Sequence, residues 1–217
     1  MDKKKLFVGI IVFGSLWGFA ECILGPILDD AGLPSGAIMT GVFAIGLMMI
    51  SRMLFKQRGM QLGMGIVAGA LRMFNPLSGY VICSAIAIAA EGIIFEFIWY
   101  SMSLDLKELK TYTMKISTGF ISAYFCYIGG YIITQILTPL AASANFYVGN
   151  LIVFIPQILS RGLLAALIGG VTVPFVLILK DFDINSIKDK LYYSTAAAVS
   201  VLCWFFIITN ALLLIGS

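Results

Sequence analysis

Residues 71–99 read LRMFNPLSGYVICSAIAIAAEGIIFEFIW, a run apolar enough for the middle of a bilayer that nonetheless carries Arg72, Glu91 and Glu96. An ionised side chain at the centre of a membrane helix costs roughly 2.5 to 3.5 kcal/mol even on the lenient insertion scale, so it persists where it is paired, wetted or used. The rest of the chain has the same character. Of 217 residues 60% are hydrophobic and 12% charged, and the mean hydropathy is +1.01, more apolar surface than a soluble domain of this length hides in one core. The reading is an all-α polytopic membrane protein whose first partner is the lipid bilayer.

Composition also excludes. The formal charge of +3 carries no nucleic-acid signal, because its meaning lies in where the charges sit. The chain has no histidine, which removes the commonest metal and haem ligand, and no cofactor or metal site is expected. Cys22, Cys83, Cys126 and Cys203 fall inside apolar runs and form no CxxC, so they read as small buried hydrophobes. The start, MDKKKLFVGIIVFG, is basic like a signal peptide, but its apolar run continues past Gly25 without an A-x-A site and is expected to stay as a first span.

A helix needs about 20 apolar residues to cross the hydrocarbon, fewer where its ends are buried in protein. That template gives a compact bundle of about seven spans, at 6–28, 36–55, 60–74, 79–101, 114–137, 148–179 and 194–215, in one domain covering 1–217. The third is short, and Pro156 and Pro174 are expected to break or kink the long sixth. Lys3, Lys4 and Lys5, then Arg52, Lys56 and Arg58, then Lys107, Lys110 and Lys115, then Lys180, Lys188 and Lys190 all fall on one side. The opposite loops DDAGLPSG, NPLSG and TPLAASANFYVGN carry no basic residue. The positive-inside rule then predicts a plasma-membrane protein with a cytoplasmic N-terminus and an external C-terminus. An N-out receptor topology is not expected, and the last span has no lysine for a retinal Schiff base.

The charges within the spans sort by depth at about 1.5 Å per residue. Spans one and three carry one pattern, Gly14, Gly18, Glu21, Gly25 and Gly65, Gly69, Arg72, Pro76, at i, i+4, i+7 and i+11 on one helix face. Glu21 and Arg72, with Asn75 a turn further on, form an outer level. Glu91 and Arg161 fall near mid-membrane, and Glu96 with Arg52 is a candidate ion pair nearer the cytoplasm. The glycines Gly14, Gly18, Gly65 and Gly69 allow close helix packing or a partner interface. Asn150, Gln157, Arg161 and Thr172 share a stripe that reads as a wet or ligand-facing wall. In span four Ser84, Ala87 and Glu91 form one small-residue stripe, and Ala85, Ala89, Gly92 and Glu96 another.

The layout of GSLWGFAECILG, GLPSGAIMTGVFAIGLMMI, GMGIVAGALRMFNP and AIAIAAEGIIFE resembles that of the S component, the substrate-binding membrane subunit of the prokaryotic energy-coupling factor (ECF) transporters. The likeness covers residues 1–179, and 194–215 is an additional C-terminal helix. It implies a six-helix capture subunit for a vitamin-like molecule, with early helices docking on a transmembrane coupling protein driven by two ATPase subunits. The chain has no G-x-x-x-x-G-K-[ST] loop of its own. The histidine-bearing N-terminus of the nickel and cobalt members is missing, which argues against those metals.

Three functions compete. The leading expectation is uptake of a small polar or charged substrate held by Glu91, Arg161, Gln157, Asn150, Glu21, Arg72 and Asn75. The second is an ion- or proton-coupled secondary transporter in which Glu91 or Glu96 carries a proton. The third is a non-catalytic anchor of a larger complex. Catalysis by this chain is not expected, since no nucleophile, base and orienter stand at recognisable spacing.

Overall fold

The computed structural model describes residues 3–74, 81–101, 109–141, 148–179, 184 and 187–215; Asn75, Pro76, Gly79, Lys107 and Lys180 lie outside them. The described residues are helical with no strand. Helix α1 (Lys3–Asp30) leads to a second span built of α2 (Ser35–Ile38), a π-helical turn (Met39–Ala44) and α3 (Ile45–Phe55). Then come α4 (Met60–Met73), α5 (Val81–Ser101), α6 (Tyr112–Ala141), α7 (Val148–Val176) and α8 (Asp189–Ile215).

Among the described residues six helical segments are long and apolar enough to cross a membrane, which makes this a multi-pass membrane protein. The expected count of seven is corrected at α4, whose 14 residues extend about 21 Å against a hydrocarbon core of about 30 Å. Lys56 and Gly59, both left-handed (φ 50° and 85°), let the chain reverse between α3 and α4 within four residues. The expected break in α7 at Pro156 does not occur. The helix runs through Pro156 and Pro174 and passes into a 3₁₀ turn (Leu177–Leu179) three residues after the second proline.

Small residues set the helix order. Gly14 faces Met64 and Val67, and Gly18 faces Ala68 and Leu71, so α1 and α4 run parallel. Gly65 meets Ile88 and Ala89, Gly69 meets Ala85, and Gly92 meets Gln61, so α5 returns antiparallel along α4. A Cβ on Gly69 would lie 2.8 Å from the Ala85 carbonyl oxygen, and one on Gly92 would lie 2.5 Å from that of Gln61. Contacts then pass from α5 to α6, from α6 to α7, and from α7 through Gly41 to the π turn and α3, which pack back on α1. The result is a closed ring of six segments. Its core holds Trp17, Met48, Met49, Met64, Phe95 and Trp99, mostly pliable or aromatic side chains that fill the irregular spaces between crossing helices.

Helix α8 stands outside this ring, parallel to α1. An ion pair Lys5–Asp189 (2.7 Å), a bond from the Tyr192 hydroxyl to the Lys5 carbonyl (2.9 Å) and one from Trp204 Nε1 to Ser15 Oγ (3.0 Å) fasten it.

Candidate functional site

One helix face of α5 opens on a cavity of about 310 Å³. Ser84, Ala87, Ile88 and Glu91 supply that face; Glu21 comes from α1, Thr40 from the π turn, Tyr127 and Tyr131 from α6, and Arg161 from α7. Asp29, Leu33, Pro34 and Ser35 line it as well, and the Ser35 hydroxyl bonds to the Asp29 carboxylate. The other stripe of α5 faces α4: Ala85, Ala89 and Gly92 allow the close approach, and Glu96 ends it.

Glu91 is 7% exposed. The Thr40 hydroxyl donates to its Oε1 at 2.6 Å, and Oε2 has no hydrogen-bond partner among the described residues. A buried carboxyl oxygen without a partner is costly, which makes Glu91 the candidate functional group of this cavity. Thr40 reaches Glu91 from the π turn, a widened helical turn of the kind often found at functional sites. Gly130 lets α6 approach the Glu91 side chain closely, since a Cβ there would lie 3.2 Å from Glu91 Cγ.

Glu21 stands close enough to Glu91 to act on it electrostatically, so the outer and middle levels read from the sequence open on one cavity. Its Oε1 accepts from Trp17 Nε1 at 3.2 Å. Arg72 meets Glu21 through the backbone, NH1 donating to the Glu21 carbonyl at 3.5 Å while Nε donates to Ser84 Oγ at 3.0 Å. Arg161 lies in the cavity wall next to Tyr127, and no ion pair joins it to Glu91 among the described residues. Gln157 is exposed and is not among the lining residues. Asn75, and the side chain of Asn150, lie outside the described residues.

Glu96 and Arg52 go separate ways. The Glu96 carboxylate accepts from the backbone N–H of Gly59 and, at 3.0 Å, from that of Leu62, so it caps the N-terminus of α4. Arg52 bonds to the Trp99 carbonyl at 3.3 Å and lies over the Tyr100 ring, 3.8 Å from its centroid. No ion pair between them is found among the described residues. The glycines Gly14, Gly18, Gly65 and Gly69 are all taken up by packing within the chain, which leaves those faces no room for a second protein.

Thr40, Tyr127, Tyr131 and Ser35 were not singled out in the sequence. Tyr127 and Tyr131 carried a usable signal, two hydroxyl-bearing rings at i and i+4 flanking Gly129 and Gly130, a spacing that puts both on one face of a closely packed helix. No protein-family model, no curated protein and no solved structure matches the chain.

Proposed function

We propose that the chain is a membrane-embedded capture subunit for uptake of a small polar or charged molecule, energised by a separate ATPase module. The observation that carries this reading is Glu91, which lines a cavity of about 310 Å³ together with Arg161 and whose Oε2 is buried without a partner among the described residues. Ligand pockets have such volumes and join an apolar wall to a few convergent polar groups. The ring of six segments, with α8 outside it, is compatible with the resemblance of residues 1–179 to an ECF S component. Glycines consumed in internal packing mean that a coupling protein would have to dock on other surfaces. The positive-inside rule puts the Asp29 and Ser35 end of the cavity outside the cell, as uptake requires.

The test is purification in mild detergent from a cell expressing the chain at native level, followed by mass spectrometry of what travels with it. A bound small molecule together with ATPase subunits is the expected result. A stable complex without ligand favours an anchor role.

One observation favours a second reading, a proton-coupled transporter. Glu21 and Glu91 are two neighbouring carboxyls in one membrane cavity, a pair suited to passing a proton. Glu96, both of whose oxygens receive backbone N–H groups, is not suited to it. Proton flux in liposomes that is driven by substrate and lost in Glu91→Gln would select this reading.

A further inference from the structure

Among the cavity's lining side chains three are acids, Glu21, Asp29 and Glu91, against one base, Arg161. Arg72 is not part of the lining; it bonds to Ser84 and to the Glu21 carbonyl, and its charge offsets that of Glu21. An anionic ligand would still enter past Asp29 and meet the acid Glu91 within. A cation meets the opposite field. The Thr40 hydroxyl donates a hydrogen bond to Oε1 of Glu91, and Oε2 is left as a buried oxygen with no partner among the described residues. Tyr127 and Tyr131 add ring faces and hydroxyl oxygens, both attractive to positive charge. Among the described residues no three Asp, Glu, His or Cys side chains gather as a multivalent metal ion would need, which favours an organic cation.

On these grounds we infer that the ligand of this cavity carries a primary or secondary amine in its protonated form, which donates an N–H to the Glu91 carboxyl. The requirement for N–H follows from the site, because a quaternary ammonium has no proton to give to a carboxyl oxygen. Arg161, in the wall of the same cavity, accommodates an acidic group elsewhere on the molecule. A volume of about 310 Å³ is that of about ten waters, which sets the ligand at metabolite size. The inference rests on the capture reading and adds the chemical class to it.

The experiment uses the whole chain in lipid nanodiscs and a small-molecule cell extract. The extract is passed in dilute acid over a sulfonate cation exchanger, which retains amines, amino acids included, and lets neutral and anionic molecules through. Each fraction is scored by the rise in the protein's melting temperature, and the active component is identified by the mass that stays bound. We expect stabilisation from the retained fraction alone, and its loss after treatment with acetic anhydride, which turns the amine into a neutral amide. Glu91→Gln should bind the active component about tenfold or more weakly, the scale of a lost hydrogen bond to a charged group.

Stabilisation by the unretained fraction alone overturns the amine assignment while leaving ligand capture intact. So does undiminished binding after acetylation, an arm that needs only the wild-type chain if Glu91→Gln fails to fold. A folded Glu91→Gln protein that binds the retained component as tightly as wild type also overturns it. If no fraction stabilises the protein, the capture reading falls and the amine inference falls with it.

Discussion

Glu96 holds a charge inside an apolar helix by giving both oxygens to the exposed amides at the start of α4. Those amides belong to the set of four that every helix leaves without an internal partner, and Gly59 at the cap has no side chain to serve them. Glu96→Ala should therefore lower stability by about 1.5 to 3 kcal/mol, and Glu96→Gln, which keeps one acceptor oxygen, by less. Thermal denaturation in detergent reads both, and an unchanged midpoint for Glu96→Ala would remove the capping role. The outer charges differ in the same measurable way. Arg72 is 8% exposed and bonds to Ser84 and to the backbone of Glu21, so Arg72→Gln strips contacts that Glu21→Gln leaves in place. The arginine variant should melt lower than the glutamate variant, and the reverse order would mean that the Glu21 carboxylate itself holds Arg72.

Element by element, the bundle depends on where backbone touches backbone. Gly92 has the Gln61 carbonyl in the space a methyl group would need, so Gly92→Ala should cost about 1 to 3 kcal/mol as α5 is pushed from α4. Gly170 lies within α7, and a Cβ there would meet only Ile116 and Phe120 at ordinary contact distances of 3.5 to 3.8 Å. Gly170→Ala should stabilise by about 0.5 to 1 kcal/mol through helix propensity. Melting temperatures that move in opposite directions separate contact from propensity; a matching loss at both sites would show that helix contact is not what distinguishes them. The same packing explains which parts of the site could be read from sequence. Stripes in α5 at i, i+3 and i+7 (Ser84, Ala87, Glu91) and at i, i+4, i+7 and i+11 (Ala85, Ala89, Gly92, Glu96) marked both of its buried faces, because the period of a helix fixes which side chains share a side. Nothing in that period tells which neighbour each face meets. Arg52 and Glu96 match in depth, yet Glu96 serves α4 and Arg52 lies over Tyr100, because the turn at 56–59 brings the start of α4, and not a guanidinium, to the carboxylate. Thr40 escaped because a π turn shifts register locally, and hydropathy patterns do not record a widened turn.

At the scale of the whole molecule, hydropathy made the membrane class and nearly the whole helix count legible, since long apolar runs need no knowledge of neighbours. It overcounted at α4, where 14 residues packed between α1 and α5 follow the bundle axis without the length of a span. Direction across the bilayer is a separate matter, governed by the basic residues beside the helix ends. Leu33 lines the cavity near one end of the bundle, and Arg58 lies in the turn between α3 and α4 at the other. Both are exposed, so a cysteine at either position is open to reagent. The four native cysteines are free, three of them buried and Cys83 partly so, and the wild-type chain supplies the background. With a membrane-impermeant maleimide added to intact cells, Leu33→Cys should label at once and Arg58→Cys only after the membrane is permeabilised. Leu33 and Arg58 flank the single span Ser35–Phe55, so the two positions label from opposite sides. Labelling of Arg58→Cys alone in intact cells would turn the cavity towards the cytoplasm, and Glu91 would then face molecules leaving the cell, which ends the uptake proposal.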